Sequence, residues 1–524
     1  MSNGRYNPEI PEYPAPDPTV ILPAAPADGW EATRGGRTLT ADVVVVGTGP
    51  GGSAAARAMA EAGLKVVLLE EGPSTSRFKP NQGQTARYHM QEGGGMVAKG
   101  ATIFPIAAGR GVGGGSLINS ALSFRTPKAV LAEWESLLQD EGWGPAAMGA
   151  ALDEVERIVG VCITPDRVAG ANNRLIARGV QALGLEGGLA PRSTPGCAGC
   201  GICNYGCPSN GKASSNVTFL PRAVAAGALI QADVKVHAVL VEGGRAVGVV
   251  GESFHPDTGA PVGSVTVRAP KVLLAAGAIG TPRLLWHSGL GPTLGPATGE
   301  GLHIHPGSAV IGIADEDILL WRGATQGAWF HHPDWPGVLP HTFTAPPEVC
   351  LATLGHVGPR LAEGLALLPR LCGLIVLVSD KGEGRVRATA DGRADISYRF
   401  AEEDFRRCKG GMRASAEVLL AGGARQLTAP VHGIGVHDSL ESFAAALETR
   451  TPNDFTMYSA HPMSTCRMGL SAATSVIGPS GEAHGLPGLY IADASIFPSS
   501  IGVNPQLTTM AAATVIGRRI AARG

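Results

Sequence analysis

Charge is scarce in this chain of 524 residues, and neither sign is in surplus. Asp, Glu, Lys and Arg make up 16% of it, and the formal net charge is -2. Such a balance leaves no electrostatic footprint for a polyanion, which argues against nucleic acid and for a small-molecule partner. No apolar run approaches the roughly 18 residues that span a bilayer. The start carries Pro8, Pro11, Pro14, Pro16 and Pro18 but no basic segment followed by an apolar one, so no secretory signal is read and a cytoplasmic location is the expectation. Cysteine is also sparse: nine residues in 524 do not make the disulfide framework of a small secreted protein. Internal repeats are absent, and the only biased tract is the proline-rich start.

What is present is a large apolar fraction, 44%, and 74 glycines. That content can bury a sizeable core, and the length predicts two or more domains. Residues 1–38 are expected to form an extended arm, because repeated proline removes backbone donors and forbids helix. Asp42 to Val46 is a β-branched run suited to a buried parallel strand, Ser53 to Ala62 an Ala-rich helix, and Lys65 to Glu70 a second strand, which together predict a βαβ opening. Residues 232–276 alternate short β-rich pieces with glycine turns and read as an antiparallel meander returning to the parallel sheet. From 311 to 454 the pattern changes to mixed strands and amphipathic helices such as Ala401 to Ala421. The predicted fold class is therefore α/β, with a Rossmann-like dinucleotide-binding domain from 39–310 and 455–524 and a second, α+β, substrate-binding domain from 311–454.

Gly47-Thr48-Gly49-Pro50-Gly51-Gly52 fits G-x-G-x-x-G between strand and helix, and Glu70 closes the next strand. Gly47, Gly49 and Gly52 would let the backbone approach a pyrophosphate at a helix N-terminus, and Glu70 would accept from ribose hydroxyls. This fingerprint does not separate NAD from FAD.

Near the other end, Tyr458-Ser459-Ala460-His461-Pro462-Met463-Ser464-Thr465-Cys466 precedes Gly502-Val503-Asn504-Pro505-Gln506. A step that removes a proton and develops negative charge on oxygen requires a base and a donor. His461 and Asn504 have the chemistry for those two roles. Pro505 pre-sets the start of a helix from Gln506 to Arg519. His303 and His305 read as scaffold or pocket wall.

Cys197, Cys200, Cys203 and Cys207, in the loop 195–212, fit C-x2-C-x2-C-x3-C-P, the bacterial ferredoxin run. An iron-sulfur cluster is one reading, with Cys162 as a distant extra ligand. Zinc is another, and free thiols or a disulfide are the favoured one.

Taken together, these segments resemble the glucose-methanol-choline family of flavin oxidoreductases. The run Gly109 to Asn119 is similar to that family's second glycine-rich loop, and Gly277 to Leu285 and Gly488 to Ser495 are similar to two further signatures. The resemblance implies FAD held by Arg110, Gly113, Gly114, Ser116 and Asn119. It also implies that Val236 meets the adenine, that Asp493 reaches the ribityl-phosphate region, and that Pro505 and its helix face the flavin. In some members a histidine of the glycine loop bonds to the flavin; Ile118 stands there in this chain, which implies non-covalent FAD. The implied activity is oxidation of an alcohol to an aldehyde or ketone, with His461 taking the proton, hydride passing to flavin N5, and oxygen or another acceptor collecting the electrons. Cys200, Cys203, Cys207, Gly211 and Lys212 look most like bacterial relatives of long-chain alcohol and sterol oxidases. A cluster-bearing dehydrogenase of sugars or tailoring substrates, and a non-redox lyase on the same scaffold, are the alternatives.

Overall fold

A computed structural model describes residues 37–74, 81–255, 258–354 and 358–523. Most of the expected arm lies outside the described residues. Its last two residues do not belong to an arm: Arg37–Thr40 is a strand that pairs in parallel with Pro261–Arg268.

Four β-branched valines in a row, Val43–Val46, form the central strand of a five-stranded parallel sheet and are all buried. The sheet runs Leu489–Ile491, Lys271–Leu274, Val43–Val46, Val66–Leu69, Leu229–Gln231, so its outer strand comes from near the far end of the chain. Continuous apolar strands are what burial on both faces demands. Each such buried side chain stabilises by roughly 1.5–3 kcal/mol. The helix Pro50–Glu61 packs on this sheet and Gln506–Ala521 packs on that helix, through small residues such as Ala55, Ala58 and Gly517. The expected meander is a four-stranded sheet in the order Arg37–Thr40, Pro261–Arg268, Arg245–Phe254, Val234–Glu242.

A second core lies behind a six-stranded antiparallel sheet. Its order is Ala424–Thr428, Gly307–Ala314, Leu371–Val378, Val338–Thr342, Ala328–His331, Glu186–Leu189. The amphipathic helix expected at Ala401 to Ala421 is Glu402–Gly422, and it covers this sheet beside Ala171–Ala182. The sheet therefore draws a helix and a strand from the segment 171–189 as well as from the chain after 307. No helix among the described residues is long and apolar enough to cross a membrane.

Candidate active site

The ends of the parallel strands, the second glycine loop and the segments around His461 and Asn504 enclose a cavity of about 460 Å³, within the usual range for small-molecule and cofactor sites. Gly47, Gly49, Glu70 and Val236 line it, as do Gly114 and Asn119, and Asp493, Pro505, His461 and Asn504 complete it. Gly52, Gly113 and Ser116 do not line it. Arg110 is turned away, donating from Nη2 to the Glu71 carbonyl at 3.0 Å and lining a separate cavity of about 320 Å³.

Gly47 cannot be another residue, because it sits at φ +102° and a Cβ there would lie 2.4 Å from the Ala275 carbonyl oxygen. The helix it introduces begins at Gly49 with no side-chain cap and no acidic residue in the first turn, so its free N–H groups and positive dipole end face the cavity region. The helix Gln506–Ala521, which starts at the lining residue Pro505, is likewise uncapped and without acid in its first turn. Two uncapped helix starts on one cavity suit an anionic dinucleotide such as FAD.

Glu70 does more than await ribose. Its Oε2 accepts from Thr48 N at 3.0 Å and Thr48 Oγ1 at 2.7 Å, and its Oε1 accepts from Gly72 N and Gly111 N, both at 3.0 Å. The carboxylate thus ties the first glycine loop to the second, and a ribose hydroxyl would share oxygens already engaged. Burial nonetheless raises its pKa. Ser116 acts similarly, donating to the Gly113 carbonyl at 2.6 Å and accepting from Ser215 N at 2.9 Å. Asn119 donates to Gln506 Oε1, which joins the glycine loop to the C-terminal helix. Asp493 accepts from Gly277 N at 2.9 Å, Thr281 Oγ1 at 2.6 Å and Ser495 N at 2.8 Å, yet burial raises its pKa too.

His461 Nε2 lies 3.1 Å from Asn504 Nδ2, although 43 residues separate them in the chain. Asn504 Oδ1 is buried with no partner. Burial first, then His305 and His341, holds the His461 pKa well below its ordinary value, so the ring is neutral at physiological pH. His305, expected as scaffold or wall, instead places its Nδ1 3.3 Å from His461 Nδ1. Its φ of +50° is uncommon for a non-glycine residue, and such conformations cluster at functional sites. That position carries no distinguishing sequence signal beyond the pair of histidines before Pro306.

The cysteine loop does not bring its four sulfurs together as a metal site in this structure. Among the described residues no group of three or more His, Cys, Asp or Glu is disposed to hold a metal ion, and none of the nine cysteines is in a disulfide. Three of the four sulfurs hydrogen-bond to Arg192 or Lys212 instead. Arg192, fully buried, donates to Cys203 Sγ at 3.3 Å and Cys197 Sγ at 3.9 Å, while Cys207 Sγ accepts from Lys212 N at 3.3 Å. Cys200 is exposed. Burial alone would raise the Cys203 thiol, but Arg192 and Lys212 outweigh it and hold the thiol below its ordinary value. Lys212 donates from Nζ to the carbonyls of Leu117 at 2.8 Å, Asn119 at 2.9 Å and Cys203 at 2.9 Å. Those bonds pin the cysteine loop to the second glycine loop, and Asn204 and Tyr205 from the same loop reach the cavity.

A dinucleotide cradle opening onto a neutral histidine and an amide defines the site of a flavin-type oxidoreductase. Comparison with known proteins gives the family. The GMC oxidoreductase N-terminal model matches residues 86–307, its C-terminal model residues 380–513, and an FAD-binding domain model residues 42–84. The chain belongs to the GMC oxidoreductase family and is an FAD-dependent oxidoreductase. It is 34% identical to an uncharacterized GMC-type oxidoreductase of Mycobacterium tuberculosis, over 96% of this chain and 78% of that one. It is 30% identical to a long-chain-alcohol oxidase of Arabidopsis thaliana, over 92% of this chain and 67% of the relative. The fold matches pyridoxine 4-oxidase from Mesorbium loti with a TM-score of 0.70 at 18% identity, covering 91% of this chain and 98% of that structure.

Proposed function

We propose that this protein oxidises a primary or secondary alcohol to an aldehyde or ketone, with His461 as the base and Asn504 as the alkoxide partner. The observation that carries the reading is the 3.1 Å approach of His461 Nε2 and Asn504 Nδ2 on the wall of the cofactor cavity, with the imidazole held neutral by burial. A neutral Nε2 accepts the hydroxyl proton, and the amide N–H donates to the oxygen as negative charge develops on it. FAD, when bound, supplies the two-electron acceptor that takes hydride from the carbinol carbon. Asp493 and the two uncapped helix starts would hold and orient that cofactor. Ile118, Leu122, Ile279 and Leu284 add apolar lining to the same cavity. Ile118 offers no nucleophile, which supports FAD held without a covalent bond. The likeness to a long-chain-alcohol oxidase supports a straight-chain alcohol as substrate and oxygen as the final acceptor.

The test is anaerobic mixing of the flavin-loaded protein with 1-decanol. Flavin bleaching is the expected result, and it also excludes a non-redox lyase. His461→Ala should slow the bleaching by about two to four decades while FAD stays bound, and Asn504→Ala by at most about two to three decades. Bleaching of His461→Ala at the unaltered rate would remove His461 as the base.

A further inference from the structure

Behind His461, on the side away from Asn504, stands a string of buried polar groups from three distant segments. His305 Nδ1 meets His461 Nδ1 at 3.3 Å with the rings nearly perpendicular, at 85°. His305 Nε2 lies 3.1 Å from Ser500 Oγ, which donates to Asp380 Oδ1 at 2.9 Å. Asp380 Oδ2 accepts from Ile304 N and Tyr398 OH, both at 2.9 Å, and His303 Nδ1 stands 3.6 Å from it. His305, Ser500 and Asp380 are almost wholly buried, and none of them lines the cavity.

Two facing Nδ1 atoms share one proton, so the two neutral rings set each other's tautomer. If His461 carries it, His461 Nε2 is bare toward the cavity and His305 must hold its own proton on Nε2, donating to Ser500. If His305 carries it, His305 Nε2 is bare and accepts the Gly502 N–H that lies 3.2 Å away. His461 then bears its proton on Nε2, and the unpartnered Asn504 Oδ1 can accept it once the amide rotates. The first state leaves the Gly502 N–H facing a protonated Nε2 and the second needs the Asn504 amide turned, so neither state is fully partnered and neither fixes the proton. Such an arrangement fits a proton entering at one end and leaving at the other.

We propose that His305, Ser500 and Asp380 form a proton relay that drains the hydroxyl proton accepted by His461 and sets which ring nitrogen of His461 is free; the proposal rests on the reading of His461 as the base. The substrate O–H proton goes to His461 Nε2, the His461 Nδ1 proton to His305 Nδ1, the His305 Nε2 proton to Ser500 Oγ, and the Ser500 proton to Asp380 Oδ1. Every bond broken is matched by one formed, no electron moves, and one proton is transferred from the hydroxyl to the Asp380–His303 pair. Burial keeps both intermediate rings neutral, with His305 lowered to about 4, so neither traps the proton. At the far end burial is outweighed: Asp380, held at about 2, only passes the proton on, and His303, raised by Asp380 and with its Nδ1 3.6 Å from Oδ2, holds it as an imidazolium. The other charged or titratable groups facing the relay are His341 toward His461, Arg407 toward His305, and Tyr398 and Asp404 around Asp380.

Ser500→Ala removes one link without touching His461, Asn504 or the cavity, and Ser500→Thr keeps the hydroxyl. With ¹⁵N-histidine-labelled, FAD-loaded protein and no substrate, Ser500→Ala should lock His461 as the Nε2–H tautomer at pH 7, whereas the unaltered protein and Ser500→Thr show the shared proton. Anaerobic flavin reduction by 1-decanol should fall about 100-fold in Ser500→Ala, with its pH dependence altered, and recover to within about threefold in Ser500→Thr. Reduction of the unaltered enzyme in mixed H₂O and D₂O, which needs no variant, should show a curved, many-proton dependence. A linear dependence, an unchanged His461 tautomer in Ser500→Ala, or no rescue by Ser500→Thr would each overturn the relay. Failure of 1-decanol to bleach the unaltered flavin would overturn the alcohol reading instead, and the tautomer measurement would still decide the relay.

Discussion

Acid will destabilise this protein well before its carboxylates titrate, and His341 isolates one share of the effect. The ring is buried, its Nδ1 lies 3.1 Å from the Thr342 carbonyl oxygen to which it donates, and its Nε2 has no partner. A second proton would find no acceptor, and burial holds the pKa at about 4. The unfolded chain, with an ordinary value near 6.5, therefore binds the proton first as pH falls. Stability from His341 is fully present above about 6.5 and is lost as pH drops toward 4. At pH 5 the loss is about 2 kcal/mol for one such group. His89 and His305 are lowered to the same value, chiefly by burial, so the three together cost roughly 6 kcal/mol. His303, raised by Asp380, works in the opposite sense and offsets part of this. The net loss is large against a total stability of roughly 5–15 kcal/mol. Urea unfolding of the FAD-loaded protein, followed by circular dichroism at pH 8 and pH 5, should show it. His341→Gln is expected to be less stable at pH 8 but to lose about 2 kcal/mol less between the two pH values. The same pH dependence in variant and unaltered protein would refute the reasoning, because a pH-independent packing cost cancels in that difference.

Flavin should leave the polypeptide on heat or acid precipitation and be recovered as FAD in the supernatant; flavin retained in the pellet would contradict a non-covalent cofactor. Metal analysis of anaerobically prepared protein should find less than one iron or zinc per chain, since Cys197, Cys203 and Cys207 bond to Arg192 or Lys212 and Cys200 is exposed; three or more irons would reverse that conclusion. Gly47→Ala forces a Cβ against the Ala275 carbonyl at positive φ, a strain of about 3 kcal/mol or more. It should abolish flavin binding, read from the 450 nm to 280 nm absorbance ratio, and full flavin content would count against the close approach.

The sequence by itself determined the local elements and the class of chemistry. Val43–Val46 had to be a strand buried on both faces, Gly47 and Gly52 had to introduce a helix that starts at a phosphate-sized gap, and Gln506 had to follow Pro505 into a helix. Those are decisions of periodicity and backbone freedom, made within a few residues. His461 and Asn504 were legible because their flanking residues resemble a known family, not because any rule of spacing joins them. Only the tertiary structure decided what lies beyond a few residues' reach. It filled all the hydrogen-bonding positions of Glu70 with backbone and threonine donors, and it turned Arg110 outward. It also set Arg192 and Lys212, separated by twenty residues of chain, against a cysteine run whose spacing alone also admits a metal site. Spacing constrains how far apart thiolates can be; it does not say whether a buried cation or a metal will be their partner. His305 shows the same limit most clearly. Its hydrogen-bonding neighbours are 156 and 195 residues away, and the role proposed for it follows from which nitrogen faces which donor, a property of two rings in contact that no one-dimensional pattern encodes.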